Sequence, residues 1–284
     1  MHGDCAYRIG ATHAVCQDYS MSGDVPTPEG GRTSVVLADG CSSSPDTDVG
    51  ARLLVRAVQR EVRLLPALSA SAMEAALRKG TAAGNALRGP LGLPQEALDA
   101  TVLAVAAEGD RWWAALWGDG VLAVGHADGT IGVLSVSYGG GCPEYPAYSL
   151  APDRLAALRR HPANPRRLER WTLHPEQDAC CESGCEEPPG AGPVMETGSV
   201  SNTRWVAVLS DGIHSFVRAV DTATSRTHEA VPFHEPLREL LAFRNGAGVF
   251  AQRRLQRFEQ ESARRGWRHL DDLTLAAVWM EAAG

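Results

Sequence analysis

The sequence of 284 residues contains no apolar run that approaches the ~20 residues a membrane-spanning helix requires. Its first residues lack the basic stretch and following apolar segment of a secretory signal. Positive charge is also scarce, because 27 Lys and Arg face 34 Asp and Glu and leave a formal net charge of −7. We therefore expect no general binding to nucleic acid or to a membrane, and we predict a cytoplasmic protein.

The cysteines lack the pattern of a disulfide framework. There are seven, an odd number, and four of them lie far apart in the sequence. In a cytoplasmic protein of this size, reduced thiols are the default. One interpretation of the clustered cysteines is a zinc site, with Cys180, Cys181, Cys185 and Cys142 as ligands. Two adjacent cysteines, however, depart from the usual CxxC spacing of such sites. An ordinary loop is the simpler interpretation.

The composition is that of a folded globular protein, with 44% hydrophobic and 21% charged residues. A chain of this length can bury a sizeable core, and we predict one domain over residues 1–284. Residues 138–203 are rich in Gly, Pro, Cys and Arg, which predicts an irregular flap or insertion within that domain. Within the flap we expect one short helix in DRLAALRRH and a strand near 168–173.

Apolar spacing predicts two helices after an early buried strand, then a group of strands, and a long helix near the end. The helices are expected within DTDVGARLLVRAVQREVRLL, within SASAMEAALRKGTAAGNAL and over about 247–265. Between them, evenly spaced turn signals predict a four-stranded antiparallel meander, with strands near 100–107, 111–118, 121–127 and 131–136. Helices in blocks and strands joined by tight turns are typical of an α+β protein with mainly antiparallel sheets.

Carboxylates stand at the ends of the predicted apolar strands. The stretch VVLADGCSSS, residues 35–44, runs a buried strand into Asp39, Gly40 and a series of small polar residues. Other acids hold similar places: Asp119 and Asp211 before a glycine, Asp271 and Asp272 before the last strand, and Asp18 in or beside an early strand. Carboxylates that converge in one cleft repel each other unless cations neutralise them, and oxygen ligands suit Mg²⁺ or Mn²⁺.

A single Asp-Gly pair is weak evidence for such a site, because it is a common hairpin turn. We interpret Asp128-Gly129 in that ordinary way. The order of the other acids along the chain is more specific. The motifs that contain them are GATHAVCQDYS, VVLADGCSSS, DATVLAV, WGDGVLAV, VLSDGIHSF and HLDDLTLAAV.

These motifs resemble, over nearly the whole chain, those of the metal-dependent Ser/Thr protein phosphatases of the type 2C class, closest to a divergent bacterial branch. The resemblance implies two packed antiparallel β-sheets flanked by helical layers, an α-β-β-α sandwich. It also implies two Mn²⁺ or Mg²⁺ ions, with a third as an option. The implied ligands are Asp39 as the bridge, the Gly40 carbonyl, Asp211 and Asp271, Asp18 partly through water, and Asp119 for the weaker third ion.

The resemblance further implies hydrolysis of phosphoserine and phosphothreonine on proteins by a water held between two metal ions, without a covalent intermediate. The implied partner is a phosphorylated protein in bacterial signalling, such as a Ser/Thr kinase or its substrate. Asp271 is preferred to Asp272 as a ligand from motif alignment alone. A capping or supporting role for Asp272 is equally open.

The chain departs from the family pattern at three places. His13 stands where the family usually has a phosphate-binding arginine, so it is a candidate phosphate contact, with a plain loop residue as the alternative. Cys41 follows Gly40 where the family often has His, Met or Ala, and Asp99-Ala100 replaces Gly-Thr. These departures leave a second hypothesis open: a catalytically weak phosphoprotein-binding or regulatory module on the same fold.

Overall fold

The computed structural model describes residues 1–28, 30–161, 163–175, 180–221 and 226–280, with the backbone alone described at 180–182, 221 and 226. The α-helices within these ranges are α1 (Thr47–Arg63), α2 (Ala70–Arg88), α3 (Pro152–Arg159), α4 (His234–Leu240) and α5 (Phe250–Arg264). The strands are β1 (His2–Arg8), β2 (Asp18–Val25), β3 (Arg32–Asp39), β4 (Val102–Glu108), β5 (Arg111–Trp117), β6 (Gly120–His126), β7 (Ile131–Tyr138), β8 (Arg166–Leu173), β9 (Cys180–Glu187), β10 (Val194–Ser199), β11 (Thr203–Leu209), β12 (Phe216–Asp221), β13 (Arg226–Ala230), β14 (Trp267–His269) and β15 (Leu273–Trp279).

The strands form two large antiparallel sheets and a small one. The seven-stranded sheet has the order β1-β15-β11-β6-β7-β8-β9, and the five-stranded sheet has the order β10-β5-β4-β3-β2. A third sheet has three strands, in the order β13-β12-β14. The two large sheets face each other, because their inward side chains belong to one buried cluster that includes Leu37, Val105, Leu122 and Val208.

Helices cover the outer face of each large sheet. Val36 and Ala38 of β3 pack with Leu54 and Val58 of α1, on the opposite side of the strand from Leu37. The continuous apolar run of β3 is therefore explained by burial on both faces. On the other outer face, α4 and α5 pack against the seven-stranded sheet. This arrangement confirms the predicted fold of two packed antiparallel sheets between helical layers.

The four strands of the predicted meander exist, but the prediction that they form one continuous four-stranded sheet is wrong. β4 and β5 pair in the five-stranded sheet, whereas β6 and β7 pair in the seven-stranded sheet. The chain therefore passes from one sheet to the other between β5 and β6, at Asp119. A Gly-Asp-Gly turn gives the same sequence signal for a hairpin and for this crossing, so the pattern could not separate them.

Segment 138–203 is more regular than its composition indicates. The predicted helix is α3, and the predicted strand near 168–173 is β8. Two further strands were not predicted: β9 extends the seven-stranded sheet, and β10 pairs with β5 at the edge of the five-stranded sheet. The segment thus adds strands to both sheets.

The structure bears on two sequence features, the lack of a long apolar run and the pairing of the cysteines. Within the described ranges, no helix is both long and apolar enough to cross a membrane. Cys5, Cys16, Cys41, Cys142 and Cys185 are free thiols. The side chains of Cys180 and Cys181 lie outside the described residues, so the zinc interpretation of that cluster stays a prediction.

Candidate functional site

Two of the predicted ligands face each other across one strand pair. β2 and β3 are antiparallel, and their register places Asp18 opposite Asp39. Asp18 is 1% exposed, and its Oδ2 accepts a hydrogen bond of 2.7 Å from Thr274 Oγ1, while Oδ1 is buried without a hydrogen-bond partner. An unpartnered carboxylate oxygen in a buried place is costly, so this atom fits a ligand that supplies positive charge.

Gly40 follows Asp39 because the backbone there is closely packed. A Cβ at this position would lie 2.9 Å from both the Gln17 carbonyl oxygen and Thr47 Cβ. The Gly40 N–H donates to that Gln17 oxygen at 3.2 Å, and Thr47 Oγ1 donates to the Cys41 carbonyl at 3.0 Å. These contacts join the end of β3 to the start of α1 and fix the loop that follows Asp39.

Asp119 is presented by a turn that only glycine can form. Gly118 has a φ of 109° and Gly120 has a φ of 136°, both outside the region that other residues readily adopt. A Cβ on Gly118 would also lie 2.6 Å from Thr101 Cγ2. The two glycines therefore let the chain cross between sheets while the acid between them points toward the Asp39 end of β3.

Asp211 and Asp271 come together because two loops pack without space between them. A Cβ on Gly212 would lie 1.8 Å from the Asp272 carbonyl oxygen, so only glycine allows this approach. Ser215 Oγ accepts hydrogen bonds of 3.1 Å from the N–H groups of Leu270 and Asp271. The start of the loop after β11 is thereby held against the turn before β15.

The adjacent acids Asp271 and Asp272 have different surroundings. Asp272 is 2% exposed and accepts hydrogen bonds from the N–H groups of Gly10 at 2.7 Å and Gln17 at 2.6 Å. The Asp271 side chain is 43% exposed, and its Oδ1 accepts one hydrogen bond of 2.8 Å from the Asp272 N–H. Asp272 therefore fastens the N-terminal loop, and Asp271 is the acid that remains open to a ligand.

Four of the predicted ligand side chains line one cavity of about 190 Å³. No Lys, Arg or His is among the described residues of its wall. The lining residues are Asp39, Gly40, Cys41, Ser42, Ser43, Thr101, Asp119, Gly141, Pro143, Tyr145, Asp211 and Asp271. Asp18 lies behind Asp39, outside this lining. The structure thus brings Asp39, Gly40, Asp119, Asp211 and Asp271 to one cavity, with Asp18 next to it.

Three carboxyl groups of this cavity have a raised pKa. Burial raises the pKa of Asp39, Asp119 and Asp211 above the ordinary value, and the charges of neighbouring aspartates add to the effect for each. Burial also raises the pKa of Asp18 to about 7. The charge of Asp211 is among the causes that raise the pKa of Asp39. A proton between two carboxyl groups supplies the positive charge that their proximity requires.

The residues fit divalent cations by their chemistry. All predicted ligands offer oxygen, which Mg²⁺ and Mn²⁺ prefer, and the cavity wall supplies no competing positive side chain. In the described part of the chain, no group of three or more His, Cys, Asp or Glu side chains is arranged to coordinate an ion as it stands.

His13 lies at the edge of the site and does not line the cavity. Its Nε2 is 3.3 Å from Asp271 Oδ1, and its Nδ1 is 3.1 Å from Asp272 Oδ2. Burial alone would lower its pKa, but the close contact with Asp272 and the charges of Asp272, Asp271 and Asp18 raise it above the ordinary value. A protonated His13 therefore stabilises the pair of acids beside the cavity.

The opposite wall of the cavity, formed by the loop of residues 139–145, is held by two polar residues that no sequence motif marks. Glu144 is 3% exposed and accepts hydrogen bonds from Trp117 Nε1 at 3.3 Å and from the N–H groups of Gly190 and Gly192 at 2.8 and 3.1 Å. Asn164 is fully buried and bonds the backbone of Gly140 and Cys142 on the same loop. Nothing in the sequence separates these residues from other polar loop residues.

Asp99, one of the departures from the family pattern, is part of a partly buried ion pair beside the site. Its Oδ2 accepts hydrogen bonds from Arg154 at 2.7 Å and from Ser44 Oγ at 3.0 Å. The Asp99 carbonyl accepts a hydrogen bond of 2.8 Å from the Cys41 N–H. This acid therefore connects α3 to the loop after Asp39.

Comparison with known proteins agrees with the geometry. The family described as Protein phosphatase 2C matches residues 9–258. The structure is similar to that of a bacterial serine phosphatase, with a TM-score of 0.56 and 13% identity over 100% of this chain and 99% of the other. It is also similar to the serine/threonine phosphatase Stp1 from Staphylococcus aureus, with a TM-score of 0.55 and 12% identity over 99% of this chain and 95% of that one.

A third similar structure is the serine/threonine phosphatase PstP/Ppp from Mycobacterium tuberculosis, with a TM-score of 0.51 and 15% identity over 99% of both chains. At these identities, the likeness concerns the fold. A comparison with curated proteins gives no match.

Proposed function

This chain belongs to the protein phosphatase 2C family, and we propose that it hydrolyses phosphoserine and phosphothreonine on proteins with the help of two divalent cations, Mn²⁺ or Mg²⁺. Membership of the family identifies it as a protein-serine/threonine phosphatase, a hydrolase of phosphoric monoesters. The observation that carries the metal-dependent proposal is the meeting of Asp39, Asp119, Asp211 and Asp271 at one cavity whose described wall has no basic side chain.

The position of each proposed ligand indicates which ion it would hold. Asp39 lies between Asp18 on β2 and Asp211 on the loop after β11, so it is the candidate bridge between two ions. The Gly40 carbonyl, Asp211 and Asp271 would complete the pair, with Asp18 behind them. Asp119, on the sheet-crossing turn, would hold a weaker third ion.

When bound, such ions supply an activated water for attack on phosphorus and positive charge for the phosphate oxygens. The residues of the chain shape the rest. Ser42 and Ser43 bring hydroxyl donors to the cavity wall, to which Gly40 also belongs. No cysteine or serine nucleophile is needed. His13 faces Asp271 and Asp272, so its proposed role is to support these two acids, with a phosphate contact from the edge of the site as the alternative.

The proposed partner is a phosphorylated protein in the cytoplasm, such as a Ser/Thr kinase or a kinase substrate in bacterial signalling. The second hypothesis is a catalytically weak phosphoprotein-binding or regulatory module. It is kept because His13 replaces the expected arginine and because a histidine offers fewer donors to phosphate than a guanidinium group.

Hydrolysis of an aryl phosphate and of a phosphothreonine peptide by the purified protein, measured against Mn²⁺ concentration, tests the proposal. We expect metal-dependent turnover in the wild type and almost none in Asp39→Asn, because both ions lose a shared anion. Asp128→Asn is the matched control, since Asp128 lies in an exposed turn where its Oδ1 accepts a hydrogen bond of 2.9 Å from the Thr130 N–H. Binding of phosphopeptide without turnover at any Mn²⁺ concentration would favour the regulatory module.

A further inference from the structure

The exposed face of α1 is entirely basic. Its exposed residues are Arg52, Arg56, Arg60 and Arg63, and every other residue of the helix is buried or half-buried. Spacings of four, four and three residues place the four arginines on one stripe of the helix. The stripe stands out because the whole chain carries a net charge of −7.

Local structure accounts for only part of this stripe. Arg60 and Arg63 lie in the last turn, where cations complement the helix dipole, and Arg60 also pairs with Glu61 at 3.1 Å. Arg52 and Arg56 lie over the Tyr19 ring, 5.2 and 5.9 Å from its centroid. Among the described residues, Arg52, Arg56 and Arg63 nevertheless have no carboxylate partner.

A groove of about 410 Å³ runs between this stripe and β2. Arg56, Arg60 and Arg63 form its rim, and Met21, Val25 and Leu64 supply apolar surface. Leu64 is 64% exposed, so its side chain is open to contact with a partner. Side chains alternate along β2, so Asp24 lies on the opposite face of the strand from Met21 and Val25. The groove therefore combines apolar surface with three guanidinium groups, of which those of Arg56 and Arg63 have no carboxylate partner among the described residues.

We propose that this groove binds an acidic segment of the phosphoprotein substrate, a segment that carries at least one aliphatic side chain among its carboxylates. Guanidinium groups form bidentate hydrogen bonds with carboxylates, and the apolar surface of the groove would contact the aliphatic side chain. Charge complementarity favours an acidic protein segment, and a flat anionic membrane would be repelled by the rest of the chain. Only the identity of the bound protein as a substrate rests on the proposed function.

The position of the groove sets the spacing between the docked segment and the phosphorylated residue. α1 begins at Thr47, whose Oγ1 donates to the carbonyl of the cavity residue Cys41. Arg60 is thirteen residues further along the helix, which corresponds to about 20 Å at the rise of an α-helix. An extended peptide spans that distance with about six residues. A substrate should therefore carry its acidic segment about six or more residues from the phosphorylated residue.

Binding is tested with a fluorescein-labelled peptide of glutamates and two leucines, by fluorescence anisotropy in the presence of EDTA. We expect Arg56→Glu/Arg60→Glu to weaken binding by about tenfold or more. The matched control is Arg257→Glu/Arg264→Glu, the same change in charge on the exposed face of α5, and it should alter binding by less than about twofold. Equal weakening by both pairs, or no binding by the wild type, would overturn the proposal.

Two further arms separate the alternatives. If the glutamate variant fails to fold by circular dichroism, Arg56→Gln/Arg60→Gln replaces it with the same expected direction. Sedimentation with phosphatidylserine vesicles that depends on Arg56 and Arg60, together with no peptide binding, would assign the groove to a membrane and overturn the proposal.

The kinetic arm uses phosphothreonine peptides with the acidic segment either adjacent to the phosphorylated residue or eight residues away. We expect Arg56→Glu/Arg60→Glu to raise KM for the distant version alone and to leave aryl phosphate hydrolysis unchanged. Peptide binding without hydrolysis of any substrate would refute the proposed function and leave the docking groove standing. Hydrolysis of both peptides with the same KM in wild type and variant would refute docking alone.

Discussion

Asp18 and Asp39 face each other across the β2–β3 pair, and both carboxyl groups are held at the same end of one sheet. Twenty-one positions separate them in the sequence, yet the antiparallel register makes them neighbours. Opposed carboxyl groups in a buried place need either a proton or a cation between them. Burial raises the pKa of both groups, and the charge of Asp18 raises the pKa of Asp39 further.

The free energy of unfolding of the metal-free protein should depend on pH through Asp18. Burial raises its pKa from 3.8 to about 7, so its contribution to stability is fully present below 3.8 and is lost as pH rises through about 7. Between pH 6 and pH 8 the loss is about 1 kcal/mol for this one group. Urea unfolding in EDTA should show this decrease in the wild type and a smaller one in Asp18→Asn. Equal decreases in the two proteins would show that Asp18 has an ordinary pKa.

His13 gives a prediction that separates positioning from phosphate contact. Because both ring nitrogens face carboxylates, we expect His13→Ala to raise the Mn²⁺ concentration needed for half-maximal activity and to change KM for a phosphopeptide little. His13→Arg should keep more activity than His13→Ala, since it restores a cation beside Asp271 and Asp272. A rise in KM at an unchanged Mn²⁺ requirement would instead identify His13 as a direct phosphate contact.

Glu144 should be a major source of stability for the cavity wall. Glu144→Ala leaves three donors without their acceptor, the buried ones of Trp117 and Gly192 and the partly buried one of Gly190, and should cost about 3 kcal/mol in urea unfolding. Glu186→Ala is the control on the same segment. Glu186 pairs with Arg167, but both side chains are more than half exposed, so the change should cost less than about 1 kcal/mol. Similar losses in both variants would contradict the role assigned to Glu144.

Much of the layered fold could be predicted from the sequence, because its central elements are buried and apolar. β3, α1 and the strands near residues 100–138 have strong periodicity, and each lies where the pattern placed it, within a few residues. β9 and β10 escaped notice because they are edge or near-edge strands of polar composition, stabilised by pairing with neighbours that the sequence does not identify. Strand pairing of that kind depends on tertiary context.

The sequence was sufficient to predict which acids belong to the candidate site. It was not sufficient to predict which acid faces the cavity and which one supports the surrounding loops. The sequence gives Asp271 and Asp272 equal status. Their difference comes from the N–H groups of Gly10 and Gln17, which are more than 250 residues away and bond Asp272 alone. In the same way, Glu144 and Asn164 could not be found from the sequence, since their partners are backbone groups on other loops.

The central claim is that Asp211 and its neighbours hold divalent cations, and the thermal shift produced by Mn²⁺ tests it without any substrate. Binding to the native state at about a hundredfold excess over Kd stabilises by about 2.7 kcal/mol, which raises the melting temperature of a protein of this size by about 5–10 °C. We predict that Mn²⁺ raises the melting temperature of the wild type by this amount and that EDTA reverses the shift. Asp211→Asn should melt no lower than wild type in EDTA, because it removes a repelling carboxylate, and should gain much less from Mn²⁺. Equal shifts in wild type and Asp211→Asn would contradict the account, because the acids at the strand ends would then be ordinary turn residues.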